Sequence, residues 1–174
     1  VIRVLVTDDE PRMRAGIRKI LTSVNDIDVI AEAANCREAI ELSRAERVDV
    51  VLLDLEMPVM DGLSALAEFR QTIPDMKVIM LATFAKQQDV FRALSEGSVG
   101  LLLKDSTPAQ MICAVRTAAV GGVYLSPGAA RHVVSSQVSD QTARRTEARA
   151  GGSATNWFQR GSSGQEGHAS MATS

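Results

Sequence analysis

Residues 48–54 read VDVVLLD, an apolar run broken once and ending in a carboxylate. A strand this apolar is covered on both faces, as in a parallel sheet with helices on each side. Four more apolar runs share the character: IRVLV at 2–6, DVIAEA at 28–33, KVIMLA at 77–82 and VGLLL at 99–103. Helical patterns fill the gaps. Pro11 opens the first, since proline suits the first helical turn, and Met13, Ile17, Ile20, Leu21 and Val24 form its apolar stripe. Asn35 and Glu38 read as a box-like cap for a second helix with Ala39, Ile40 and Leu42 inward. Met57, Pro58 and Gly62 mark a loop before a helix over 63–72, which Ile73-Pro74 stops. A fourth helix spans 87–96, with Gly97 as its C′ residue. Ser106-Thr107-Pro108 starts a fifth, running to about Ala119. Five strand–helix units predict an α/β fold: a doubly wound (βα)5 flavodoxin-like parallel sheet of order 2-1-3-4-5.

Polar residues stand at the ends of these runs. Asp8 and Asp9 follow the first strand, Asp54 the third, Thr83 the fourth and Lys104 the fifth. In an open parallel sheet the strand carboxyl ends share one edge, and ligands bind in the crevice where the winding reverses. Strands one and three flank that reversal, so three carboxylates converge there. They repel one another and invite a hard divalent cation, Mg²⁺ above all. A hydroxyl and an ammonium beside them suit a phosphoryl group. Taken singly, each has a plainer reading: a solvated turn for Asp8-Asp9, a strand end for Thr83, a solvated terminus for Lys104. Five coincidences at one edge are what that plainer reading requires.

Composition excludes several classes. A formal charge of -2 over 174 residues gives no global attraction to nucleic acid or anionic membrane. No apolar stretch reaches the roughly 20 residues that span a bilayer, and VIRVLVTDDE is not a signal-peptide pattern; a cytoplasmic location is expected. Cys36 and Cys113 have no CxxC spacing and are expected as reduced, buried thiols. His132 and His168 have no second ligand at zinc spacing. Neither GxGxxG nor GxxxxGK[ST] occurs, so nucleotide binding has no motif behind it.

After Gly121-Gly122 the pattern changes. Residues 121–138 read as a linker with one short helix from Ser126, Pro127 in its first turn. From Ser139 to Ser174 there is no Leu, Ile or Val, and Trp157-Phe158 is the only sizeable apolar spot. Such a segment cannot bury enough apolar surface to offset its ordering entropy, so a disordered low-complexity tail is expected over 139–174.

Residues 1–120 resemble the receiver domain of bacterial two-component response regulators. The most specific piece is the run DLEMPVMDG at 54–62, which is similar to the family's phosphoacceptor loop. The Asp8-Asp9 pair, the Thr83 strand end and the Lys104-Asp105 strand end also match. GLLLKD at 100–105 and GGVYLSP at 121–127 resemble the NarL/LuxR-type branch, whose receivers precede a helix-turn-helix. The resemblance implies that Asp54 is the nucleophile, taking a phosphoryl group from a sensor histidine kinase. It implies Mg²⁺ held directly by Asp9 and Asp54, through water by Asp8, and by the backbone carbonyl of Glu56. Lys104 and Thr83 would contact phosphoryl oxygens. Phosphorylation would then change contacts at the fourth helix, fifth strand and fifth helix, including those of a homodimer. No enzymatic activity is implied beyond self-phosphorylation and self-dephosphorylation.

Two positions depart from the family. An aromatic residue usually stands three before the lysine; here it is Leu101. Thr142-Ala143-Arg144 resembles the opening of a LuxR-type DNA-binding domain, but residues 145–174 lack the apolar positions of three packed helices. DNA contact is therefore expected only if an effector domain is supplied. Two other readings stand beside the switch. One is a phosphate-independent dimerisation or ligand-sensing module. The other is an aspartate-nucleophile phosphatase of the haloacid dehalogenase type, which Asp54-Leu55-Glu56 imitates; that family, however, wants its nucleophile after the first strand and an Asp two residues later.

Overall fold

In the computed structural model, which describes residues 1–84 and 86–131, the run ending at Asp54 forms β3 (Val50–Asp54), buried along its whole length. It lies between β1 (Ile2–Thr7) and β4 (Lys77–Ala82); β2 (Ile27–Ala33) flanks β1, and β5 (Gly100–Leu103) flanks β4. All pairings are parallel. The five expected strands are present in the expected order. A sixth, β6 (Tyr124–Leu125), extends the sheet to β2-β1-β3-β4-β5-β6, where the sequence suggested only a linker. Two residues are too few to show a strand period. What makes the pairing is a close approach: a Cβ on Gly100 would lie 2.6 Å from the Tyr124 carbonyl oxygen, so this position needs glycine.

Five helices cover the faces: α1 (Pro11–Leu21), α2 (Cys36–Ala45), α3 (Gly62–Thr72), α4 (Gln87–Ser95) and α5 (Pro108–Ala119). Successive strand residues point to opposite faces, which divides the core in two. Val4, Val6, Leu52 and Leu81 pack with Ile17 and Leu21 of α1 and Met111, Ala114 and Val115 of α5. Leu5, Leu53, Met80 and Leu101 pack with Ile40 of α2, Leu66 and Phe69 of α3, and Val90 of α4. Burial of each large aliphatic side chain contributes about 1.5–3 kcal/mol.

Helix ends follow their sequence signals. Asn35 accepts from the Glu38 N–H at 2.9 Å. Glu38 reaches back to the Ala34 N–H at 2.7 Å, one residue earlier than a reciprocal box would require. The complete box is at α5, between Thr107 and Gln110. Gly97 has φ +91, the left-handed value its C′ place demands.

Residues 127–131 are helical. Ala129, within them, is fully buried in the same cluster as Leu101. The rest of the expected short helix, the tail over 139–174, both histidines and Trp157-Phe158 lie outside the described residues. Cys36 and Cys113 are both free thiols, but only Cys36 is buried. Cys113 is exposed, contrary to expectation, because Ala114, Val115 and Ala118 are the α5 residues turned inward beside it. Among the described residues, no helix is long and apolar enough to cross a membrane.

Candidate functional site

Register places the site. β1 and β3 run side by side with Thr7 opposite Leu53, so Asp8 and Asp54 leave the sheet together. β4 and β5 pair Ala82 with Leu103, so Thr83 and Lys104 emerge together at the same edge. Asp8 and Asp54 are fully buried; Asp9 is exposed.

Carboxylate oxygens of Asp8, Asp9 and Asp54 all lie within 4.8 Å of one another. The Lys104 ammonium sits 2.8 Å from Asp54 Oδ2 and 2.8 Å from Asp8 Oδ2. Its bond to Asp54 is a hydrogen bond. The approach to Asp8 is charge pairing only, for Asp8 Oδ2 is buried without a hydrogen-bond partner. Asp8 Oδ1 accepts the Glu10 N–H at 2.8 Å. Asp54 Oδ1 accepts the Glu56 N–H at 3.1 Å.

Burial pushes the Asp54 carboxyl above its ordinary range, only partly opposed by the Lys104 and Glu56 hydrogen bonds. Burial alone would pull Lys104 down; its close pairing with the Asp54 and Asp8 carboxylates outweighs that and holds it above its ordinary value. The ammonium is thus firmly charged, yet it is one cation among three carboxylates.

That donor set fits Mg²⁺. The oxygens are hard, they are few, and one carboxylate is open to solvent, leaving room for the waters Mg²⁺ retains. Asp8 Oδ2 is buried with the Lys104 ammonium as its charge partner and no hydrogen bond, so it keeps acceptor capacity toward a cation or a water.

The β3–α3 loop is drawn tightly round Asp54. The Gly62 N–H donates to the Leu55 carbonyl at 3.0 Å, and a Cβ at Gly62 would collide with the Asp54 carbonyl oxygen. Val59, at the tip, is fully exposed with φ +76, a left-handed conformation costly for a β-branched residue. Sequence reading marked Gly62 as loop punctuation and missed this role. It also missed Arg14, whose Nη1 donates to the Asp8 carbonyl at 2.7 Å; only its position one helical turn after the acidic pair could have suggested it.

The structure therefore brings together Asp8, Asp9, Asp54 and Lys104. Thr83 stands at the same edge but is exposed, and its hydroxyl bonds to none of the four. Glu56 meets the cluster through its N–H.

The response regulator receiver domain family matches residues 4–116. Over 123 residues the chain is 36% identical to the nitrate/nitrite response regulator protein NarL of Escherichia coli (strain K12), covering 71% of this chain and 57% of that protein. It is 33% identical over 141 residues to the response regulator UvrY of the same strain, covering 81% and 65%. The chain spans about three fifths of the length of the curated relatives it matches. Among solved structures, a LuxR-family two-component response regulator from Aurantimonas sp. SI85-9A1 superposes with TM-score 0.75 at 28% identity, covering 78% of this chain and 97% of that one. The response regulator ChrA of a heme-sensing two-component system gives 0.65 at 34%, covering 77% and 64%. The receiver-domain match spans residues 4–116, well over half of the sequence, and the chain belongs to the response regulator receiver domain family.

Proposed function

We propose that the chain is a phosphorylation-dependent switch of a two-component pathway, with Asp54 as phosphoacceptor. A carboxylate oxygen of Asp54 attacks the phosphorus of a sensor kinase's phosphohistidine. The P–N bond breaks, its electron pair stays on the imidazole, and an aspartyl phosphate forms. Asp9 and Asp54 would hold Mg²⁺ directly, Asp8 through water, and the Glu56 carbonyl would supply a further oxygen. Bound there, Mg²⁺ supplies the positive charge that offsets carboxylate repulsion and the charge of the phosphoryl oxygens.

The remaining steps belong to the chain. Lys104, freed from Asp54 as that carboxylate loses its charge in the acyl phosphate, a mixed anhydride, pairs with a phosphoryl oxygen. Thr83 turns from solvent to donate to another. Its movement carries the β4–α4 loop inward and changes the surface around α4, β5 and α5. Leu101 is fully buried and has no ring to rotate, so Thr83 and the neighbouring backbone transmit the change. The output is an altered partner or dimer contact, which in the longer relatives serves transcription; DNA enters only through an effector domain.

The observation that supports this reading is the Lys104 ammonium, 2.8 Å from each of two buried carboxylates, with the Asp9 carboxylate completing the acidic cluster. Mass spectrometry after incubation with acetyl phosphate and Mg²⁺ tests it. A single added phosphoryl group, absent without Mg²⁺ and absent in Asp54→Asn, is expected. An adduct that survives in Asp54→Asn overturns Asp54 as acceptor. No adduct under any condition, with a dimer insensitive to acetyl phosphate, favours the phosphate-independent module.

A further inference from the structure

Asp8 is fixed at three of its polar groups. Its N–H donates to the Ala33 carbonyl of β2 at 3.2 Å. Its Oδ1 accepts from Glu10 N–H at 2.8 Å. Its carbonyl accepts from Arg14 Nη1 at 2.7 Å. Asp9 has no hydrogen bond of its own among the described residues, although it is one of the three carboxylates of the cluster. What aims it is the peptide joining it to Asp8. That peptide is planar, so the direction of the Asp8 carbonyl sets the direction of the Asp9 N–H and the course of the chain into Asp9. Whatever holds the Asp8 carbonyl therefore holds the Asp9 N–H and Cα, the point from which its side chain starts.

Arg14 is built for that task. Its side chain is 16% exposed, and its Nε lies 3.5 Å from Glu32 Oε2, an ion pair without a hydrogen bond, while Arg18, 49% exposed, hydrogen-bonds the other oxygen of Glu32 at 3.1 Å. Glu32 on β2 thus anchors two arginines of α1. Only one of them reaches the acidic turn. A charged donor to a carbonyl is roughly twice as strong as a neutral one, and the Glu32 carboxylate attracts the guanidinium to the β2 side of the turn.

We propose that Arg14, paired with Glu32, is a positioning residue for the cation: through the Asp8 carbonyl it fixes the peptide plane from which the Asp9 backbone enters the cluster. The proposal rests on the reading that Asp8, Asp9 and Asp54 hold Mg²⁺. Arg14 touches neither cation nor phosphoryl group; it acts through the residues that do.

Arg18 provides the internal control, because both arginines lose the same partner but only Arg14 loses the carbonyl. Isothermal titration of the full chain with MgCl₂, beside melting curves in EDTA, is the test. Arg14→Gln should bind Mg²⁺ about tenfold more weakly or worse, the usual effect of removing a group that orients a metal ligand. Arg18→Gln should stay within about twofold of the unmutated chain, with melting in EDTA only slightly lowered, whereas Arg14→Gln, which also strips the Asp8 carbonyl of its donor, should melt lower in EDTA. Equal affinities for Arg14→Gln and the unmutated chain overturn the proposal, as does an equal loss in Arg18→Gln. Should Arg14→Gln not fold, Glu32→Gln carries the test: it leaves Arg14 in place but without its charge partner, and should weaken Mg²⁺ binding while leaving melting in EDTA nearly unchanged. Unchanged affinity there overturns the role of Glu32. An unmutated chain that takes up no Mg²⁺ overturns the metal reading itself, which the arginine variants alone cannot do.

Discussion

Lys104 Nζ lies 2.8 Å from Asp54 Oδ2, joining the end of β5 to the end of β3 over a separation of 50 residues. The lysine side chain is 14% exposed and the aspartate is fully buried. Removing one partner of such a pair leaves a buried charge without compensation, at about 3–5 kcal/mol. Lys104→Met should therefore lower stability in EDTA by about 3 kcal/mol. Asp54→Asn added to it should restore a large part, since the stranded carboxylate is gone. Urea unfolding of the four proteins in the cycle measures this coupling; strictly additive effects would show that the pair is not coupled.

Mg²⁺ should raise the melting temperature, because a cation bound by the folded state alone stabilises it by linkage, about 2.7 kcal/mol at a hundred times Kd. Asp9→Ala should remove most of the rise while leaving the apo protein as stable or more so, since one of three mutually repelling carboxylates is gone. Differential scanning calorimetry with and without MgCl₂ checks both. An unchanged shift in Asp9→Ala would place the cation elsewhere.

Asp26 and Arg116 tie the loop before β2 to α5 through two hydrogen bonds of 2.8 Å. The Arg116 hydrogen bonds hold Asp26 below the usual carboxylate range. A depressed folded value contributes stability above the unfolded value of about 3.9, and that contribution is lost as pH falls through the folded value. The urea midpoints of the unmutated chain and Asp26→Asn should then differ at neutral pH and converge in acid. A gap that widens as pH falls would reverse the sign.

Burial pushes the Cys36 thiol up to about 12, with Asp61 and Asp54 adding to the effect. The thiolate is the reactive form. Iodoacetamide at mildly alkaline pH should modify only Cys113 in the folded chain, and both cysteines in urea. Peptide mapping reads this directly, and early labelling of Cys36 would mean that the packing of α2 against the β3–α3 loop opens readily.

Gly100→Ala should undock β6, because the new methyl would meet the Tyr124 carbonyl oxygen at 2.6 Å. Accommodating it should cost about 1–3 kcal/mol. The Tyr124 and Ser126 amides, bonded at 3.0 and 2.9 Å to the carbonyls of Val99 and Leu101, should lose protection from hydrogen exchange. Asp54 chemistry should persist. Unaltered protection at both amides would show that β6 tolerates the methyl.

The sequence was readable where local and global demands agree. Residues 50–54 are apolar because both sheet faces are covered, and Asp54 ends the run because it meets the crevice. The acidic cluster with Lys104 was legible for the same reason: strand ends are visible in a sequence, and parallel register brings them together. Contacts made by backbone or by single side chains across the fold were not. Gly100 looks like an ordinary strand residue until Tyr124 lies against it. Arg14 looks like a solvated helix residue until its guanidinium is found on the Asp8 carbonyl. Thr83 was correctly sited at the edge, yet its exposure follows from a loop conformation that no periodicity encodes.

The sixth strand closes a flank. Without it β5 would present a row of open amides and carbonyls on the side away from β4, and an open edge recruits strands from other chains. β6 takes up that row at Gly100 and Leu101, then offers an outer rim of only two residues before Pro127, which has no amide hydrogen to give. The sheet has no length there on which to grow. Among the described residues, the β5 side therefore offers a second copy helix surfaces on which contacts can be made and released, and little edge on which sheets could join and be slow to part.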